Sequence, residues 1–147
     1  MALSERPDIT YGETPLPGGM AGMWFPDIRG IATDSRLTRV ERRCALAHEL
    51  VHAEYDHAQC AGGGPGTARI ARRLERWTTT LAATRLIPLG SLMSVLAERL
   101  PAFDAAEQLA VTERMLHVRI KYLTTTERLR IHQALGGDDL DVLQVGG

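Results

Sequence analysis

Thr38-Arg39-Val40-Glu41 constrains this chain more than any other stretch. The Thr hydroxyl and the Glu carboxylate, three residues apart, can each satisfy an unbonded backbone N–H, so the tetrad opens a helix. Val40, Cys44, Leu46, Ala47, Leu50 and Val51 follow at mixed three- and four-residue steps, as a buried helical face requires. The pattern predicts a helix from about Thr38 to Asp56. The segment before it is of another kind. Pro7, Pro15, Pro17, Gly18, Gly19, Gly22, Pro26 and Gly30 break residues 1–37 into short pieces. Ile9-Thr10-Tyr11, Met23-Trp24-Phe25 and Gly30-Ile31-Ala32-Thr33 read as strands, which predicts a small antiparallel sheet of two or three strands.

The rest of the chain reads as helices. Ala61-Gly62-Gly63-Gly64-Pro65-Gly66 is a loop no helix tolerates. A second helix is expected from Thr67 to about Leu86, with Pro88 ending it. Shorter helices are expected at about Leu89–Arg99, Asp104–Ala110 and Thr112–Tyr122. Thr124-Thr125-Thr126-Glu127 is a second capping box and opens a helix to about Leu135, stopped by Gly136-Gly137. Strands first and helices after them give an α+β fold, a small sheet packed on a helical bundle. There is no internal repeat and no long linker, so a single domain over residues 1–147 is expected, with residues 1–8 and 138–147 mobile.

Composition removes several classes of function. Seventeen basic residues against 18 acidic leave a net charge of −1, which argues against direct nucleic-acid binding. No apolar run approaches the roughly 18 residues that a membrane span needs. MALSERPDIT has no apolar signal core, and two cysteines, Cys44 and Cys60, make no disulfide framework. A cytoplasmic setting is the expectation.

The chemistry sits on the first helix. His48-Glu49-Leu50-Val51-His52 is an HExxH sequence. Four residues of helix place the two imidazoles on one face, about 6 Å apart along the axis, where both can hold one zinc ion. Glu49 lies one step round and can act as general base toward a water on that metal. A hydrolytic zinc usually takes three protein ligands. His57 is one candidate, but it stands one residue short of the place at which an HExxHxxGxxH motif has its third His, and Tyr55 replaces that motif's Gly. Asp56 shares the face of the two histidines, but three successive turns cannot converge on one ion. Glu75, the one acidic residue of the second helix, is the other candidate. Against that role stands an ordinary ion pair with Arg72 or Arg76.

The run Arg42-Arg43-Cys44-Ala45-Leu46-Ala47-His48-Glu49-Leu50-Val51-His52-Ala53, with His57 after it, resembles the ImmA/IrrE family of metallo-endopeptidases. Gly22-Met23-Trp24-Phe25 and Ile31-Ala32-Thr33-Asp34-Ser35-Arg36-Leu37 are similar to that family's strands ahead of the active helix. Glu75 and the terminal Pro of Arg85-Leu86-Ile87-Pro88 also match. The resemblance spans residues 9–135. It implies one zinc ion held by His48, His52 and Glu75 in a gluzincin-like set, with Glu49 as catalytic base. It further implies cleavage of a regulatory protein, often a helix-turn-helix repressor, in a mobile element or stress response. Thr78 and Thr79 depart from the family's Ala and Asn or Asp, which removes the usual carboxylate or amide behind a ligand.

Other signals carry alternatives. Cys44, one turn before His48 and on its face, is either a small buried residue under the sheet or a group that approaches the metal, and Cys60 is a thiol in the following loop that could block the zinc as an internal thiolate. Arg69, Arg72, Arg73 and Arg76 form a basic stripe, either a solvated face or a dock for an acidic substrate segment. His117, Tyr55 and Tyr122 are candidates for assisting an oxyanion. Asp104–Ala110 and Thr112–Tyr122 loosely resemble a helix-turn-helix, with Arg114, His117, Arg119 and Lys121 on the second helix. The rival to an enzyme is a non-catalytic regulator that binds a repressor or partner protein without cleaving it.

Overall fold

A computed structural model describes residues 3–55 and 65–136, and side chains outside 65–67. The chain divides into two compact units, Met1–Ala82 and Ala83–Gly147, with the boundary inside a helix. The fold is α+β: among the described residues a small three-stranded sheet is followed by six α-helices.

In the first unit β1 (Thr10–Thr14), β2 (Gly22–Phe25) and β3 (Gly30–Asp34) form a sheet in the order β1-β3-β2. β2 and β3 fall within one residue of where the sequence places them, whereas β1 omits Ile9 and runs on to Thr14. The pairing departs from the expectation. β2 and β3 are antiparallel, with Trp24 opposite Ile31, but β1 and β3 are parallel, with Tyr11 opposite Ile31. The sheet is mixed, not antiparallel. Residues 15–21, with Gly18 and Gly19 at positive φ, are too long a connection for a tight hairpin. They carry the chain from β1 across to the far edge, and β3 then fills the central place between β1 and β2. Pro26–Ile28 and a left-handed Arg29 make the short turn that does return antiparallel.

Asp34 ends β3 and sets the chain up for the first helix. Its carboxylate accepts the backbone N–H groups of Leu16 and Arg36 and pairs with the Arg36 guanidinium. Helix α1 (Arg39–Glu54) then opens on Thr38, whose hydroxyl accepts the Glu41 N–H while Glu41 accepts the Thr38 N–H. Such a cap contributes about 1 kcal/mol. Leu46, Leu50 and Ala53 face the sheet and pack with Ile9, Trp24 and Ile31. At about 100° per residue, His48 and His52 then fall on the flank of α1, and Glu49 between that flank and the sheet. The helix stops at Glu54, two residues before Asp56. Helix α2 (Pro65–Leu86) follows.

The second unit holds α3 (Leu89–Ala97), α4 (Ala102–Gln108), α5 (Glu113–Lys121) and α6 (Thr125–Leu135). Pro88 and Pro101 begin α3 and α4, and Thr112 and Thr124 cap α5 and α6 through their hydroxyls. Leu92, Val95, Leu96, Ala105, Ala106, Leu116 and Ile131 are among its buried apolar residues. Arg119 is 2% exposed, so it cannot serve a nucleic-acid face on α5. It donates to the Ile87 carbonyl and pairs with Glu127. Among the described residues no single helix is long and apolar enough to cross a membrane.

Arg119→Ala should cost about 3 kcal/mol in chemical denaturation, because it strands a carboxylate and a carbonyl that the guanidinium now satisfies. The lower end of the usual range applies because Glu127 keeps a fifth of its side chain in water. The Arg119 hydrogen bond lowers the Glu127 pKa from 4.5 to about 2. Its stabilisation is therefore whole above pH 4.5 and fades as pH falls toward about 2. Denaturation midpoints of wild type and Glu127→Gln should converge across that window, and a gap constant down to pH 2 would refute the assignment.

Candidate metal centre

The flank of α1 meets α2 at three side chains. His48 Nε2 and His52 Nε2 are 3.1 Å apart. Glu75 on α2 closes the group, with one carboxylate oxygen 3.2 Å from His48 Nε2 and the other 3.3 Å from His52 Nε2. The ligand atoms of His48, His52 and Glu75 all lie within 4.8 Å of one another, and this is the one such group among the described residues. Glu75 thus turns toward the histidines of α1, while Arg69, Arg72, Arg73 and Arg76 are exposed.

Thr79 lies one turn beyond Glu75 and decides which His48 nitrogen faces the group. Its hydroxyl donates to the Glu75 carbonyl at 2.8 Å, a common bond for a helical Thr. The same oxygen lies 3.3 Å from His48 Nδ1 and, its proton already used, accepts there. Nδ1 then carries the ring proton, and Nε2 presents a lone pair to His52 and Glu75. The family resemblance leads one to expect Asn or Asp at this position, and a Thr stands there. The hydroxyl nevertheless supplies an acceptor behind His48. The signal was present in the sequence as a Thr four residues after Glu75, but its reach depends on how α2 is rotated against α1.

This donor set suits a cation. Two imidazole nitrogens and a carboxylate converge with lone pairs toward one another, and a single proton on His52 can serve only one of them. A divalent ion satisfies all three at once. Electrostatics agree. The two imidazoles beside it, His48 foremost, hold the Glu75 carboxyl well below the usual carboxylate range, although its side chain is 56% exposed. Burial pulls the His52 pKa down, but the Glu75 bond and the charges of Glu49 and Glu75 outweigh it and raise it.

Glu49 is 8% exposed and stands outside the ligand group. Burial raises its pKa, against the opposing pull of both histidines and of the Trp24 backbone N–H, which donates to its carboxylate. A carboxylate made more basic beside a candidate metal centre is suited to take a proton.

Cys44 is buried and reduced, and is not part of the ligand group. Tyr55 packs edge-on against Trp77, 4.7 Å between ring centroids. His117 and Tyr122 belong to the second unit and are exposed there. Asp56, His57 and Cys60, and the tail 138–147, lie outside the described residues.

No family model, curated protein or solved structure matches the chain.

Thr79→Val should weaken metal binding about 10–100-fold, the usual loss when a group behind a ligating His is removed. Chelator competition measures it. Unchanged affinity would free Thr79 from that role.

Proposed function

We propose that this chain is a zinc-dependent endopeptidase that cuts a regulatory protein in the cytoplasm, with a helix-turn-helix repressor as the substrate class. The resemblance to ImmA/IrrE peptidases supports this reading, and the observation that carries it is the convergence of His48, His52 and Glu75 beside a buried Glu49. His48, His52 and Glu75 hold the zinc. Bound there, zinc supplies Lewis acidity, which acidifies a water and polarises a peptide carbonyl. Glu49 accepts the proton of the attacking water at its carboxylate and passes it to the departing amine. Thr79 keeps His48 in the tautomer that ligates.

Turnover tests the reading. Zinc-loaded protein is mixed at one part per hundred with each member of a panel of helix-turn-helix repressors, and fragments are read by mass spectrometry. Complete conversion at one cut site is the expected result. A stable one-to-one complex with intact repressor would establish the non-catalytic regulator instead.

A further inference from the structure

Gly22 begins β2, and among the described residues β2 is an edge strand paired with β3 alone. A glycine inside a strand weakens it and so calls for a reason. Backbone conformation supplies none, since Gly22 does not have a positive φ. Space does. A Cβ at this position would lie 2.8 Å from Glu49 Cγ, 3.0 Å from Oε1 and 3.3 Å from Cδ. Gly12 on β1 offers the contrast, because a Cβ there meets nothing within 4 Å.

We propose that Gly22 is a positioning residue for Glu49: the missing side chain is the notch in which the Glu49 carboxylate lies against the sheet edge. The proposal rests on the reading of Glu49 as general base. Two residues further along β2, the Trp24 backbone N–H donates to the same carboxylate. One strand thus gives Glu49 both room and a hydrogen bond. Relief of the crowding is restricted on both sides. Glu49 is 8% exposed and cannot swing into water, and β2 is held by its ladder to β3, with Gly22 opposite Thr33. A methyl group at Gly22 therefore moves the carboxylate and leaves His48, His52 and Glu75 in place.

Two measurements on the full chain test this. The first is a melting cycle on metal-free wild type, Gly22→Ala, Glu49→Ala and the double variant. Gly22→Ala should lower the melting temperature by about 5 °C when Glu49 is present and by about 1 °C or less in the Glu49→Ala background. Gly12→Ala should leave it within about 1 °C. An equal drop in both backgrounds, or none in either, would overturn the proposal.

The second is calorimetric titration of the zinc-loaded proteins with acetohydroxamate, which chelates zinc and gives its hydroxyl proton to a neighbouring carboxylate. Gly22→Ala should keep about one zinc per chain and bind acetohydroxamate at least tenfold more weakly, as Glu49→Ala should. Wild-type affinity in Gly22→Ala would overturn the proposal. Wild-type affinity in Glu49→Ala would instead overturn the general-base reading, whatever the melting cycle shows.

Discussion

Glu75→Ala should empty the metal centre and leave the protein folded. Wild type purified without added metal should carry about one zinc per chain, and the variant close to none. Glu75 contributes the one negative charge in the ligand group and reaches both imidazoles, at 3.2 and 3.3 Å. It is also the one acidic residue of α2, so no neighbour on that helix can replace it. Two histidines on one helix face remain, and they form a weak, neutral site. The loss should exceed the 10–100-fold that follows removal of a group behind a ligand, and each tenfold is about 1.4 kcal/mol of binding. The fold should tolerate the change, because the Glu75 side chain is more than half exposed. Metal-free wild type and variant should differ by about 0.5 kcal/mol or less in stability. Metal analysis with chelator competition decides the matter, and unchanged zinc content would remove Glu75 from the site.

What the sequence disclosed and what it hid divide by range. The helix starts at Thr38 and Thr124 were legible because a capping box is complete within four residues. The HExxH flank was legible because helical spacing alone puts His48 and His52 together. Sheet pairing was not, because β1 and β3 are neighbours in space and separated by β2 in sequence, and no local pattern records which strand takes the centre. Glu75 illustrates the intermediate case. Spacing and composition left it either a ligand or a partner for Arg72 or Arg76, and only the packing of α2 on α1 brings it to the histidines. Thr79 reads as a loss by residue type, yet it bonds Nδ1 of His48. Arg119 reads as one of several basic residues on α5, and burial between Ile87 and Glu127 gives it a structural role instead. In each case the residue type was visible and its partner was not.

Glu49→Gln should abolish cleavage while zinc stays bound. The substitution preserves volume at a position 8% exposed, and the amide oxygen can still accept the Trp24 N–H. What it removes is the basic lone pair, since an amide does not take a proton near neutrality. Loss of a general base lowers the rate by about 10²–10⁴-fold, or roughly 3–5 kcal/mol of barrier. Stability should move the other way. Burial raises the Glu49 pKa in the folded chain, so its ionised form opposes folding increasingly as pH rises through that raised value. A neutral Gln carries no such penalty. At pH 8 metal-free Glu49→Gln should therefore melt at or above wild type, and the difference should shrink as pH falls and Glu49 protonates. Buried residues kept for packing lose stability when changed, whereas this one should lose only turnover. Retained cleavage by the zinc-loaded variant would sink the mechanism, because Glu49 is the acidic residue, apart from Glu75 itself, whose charge acts on His52.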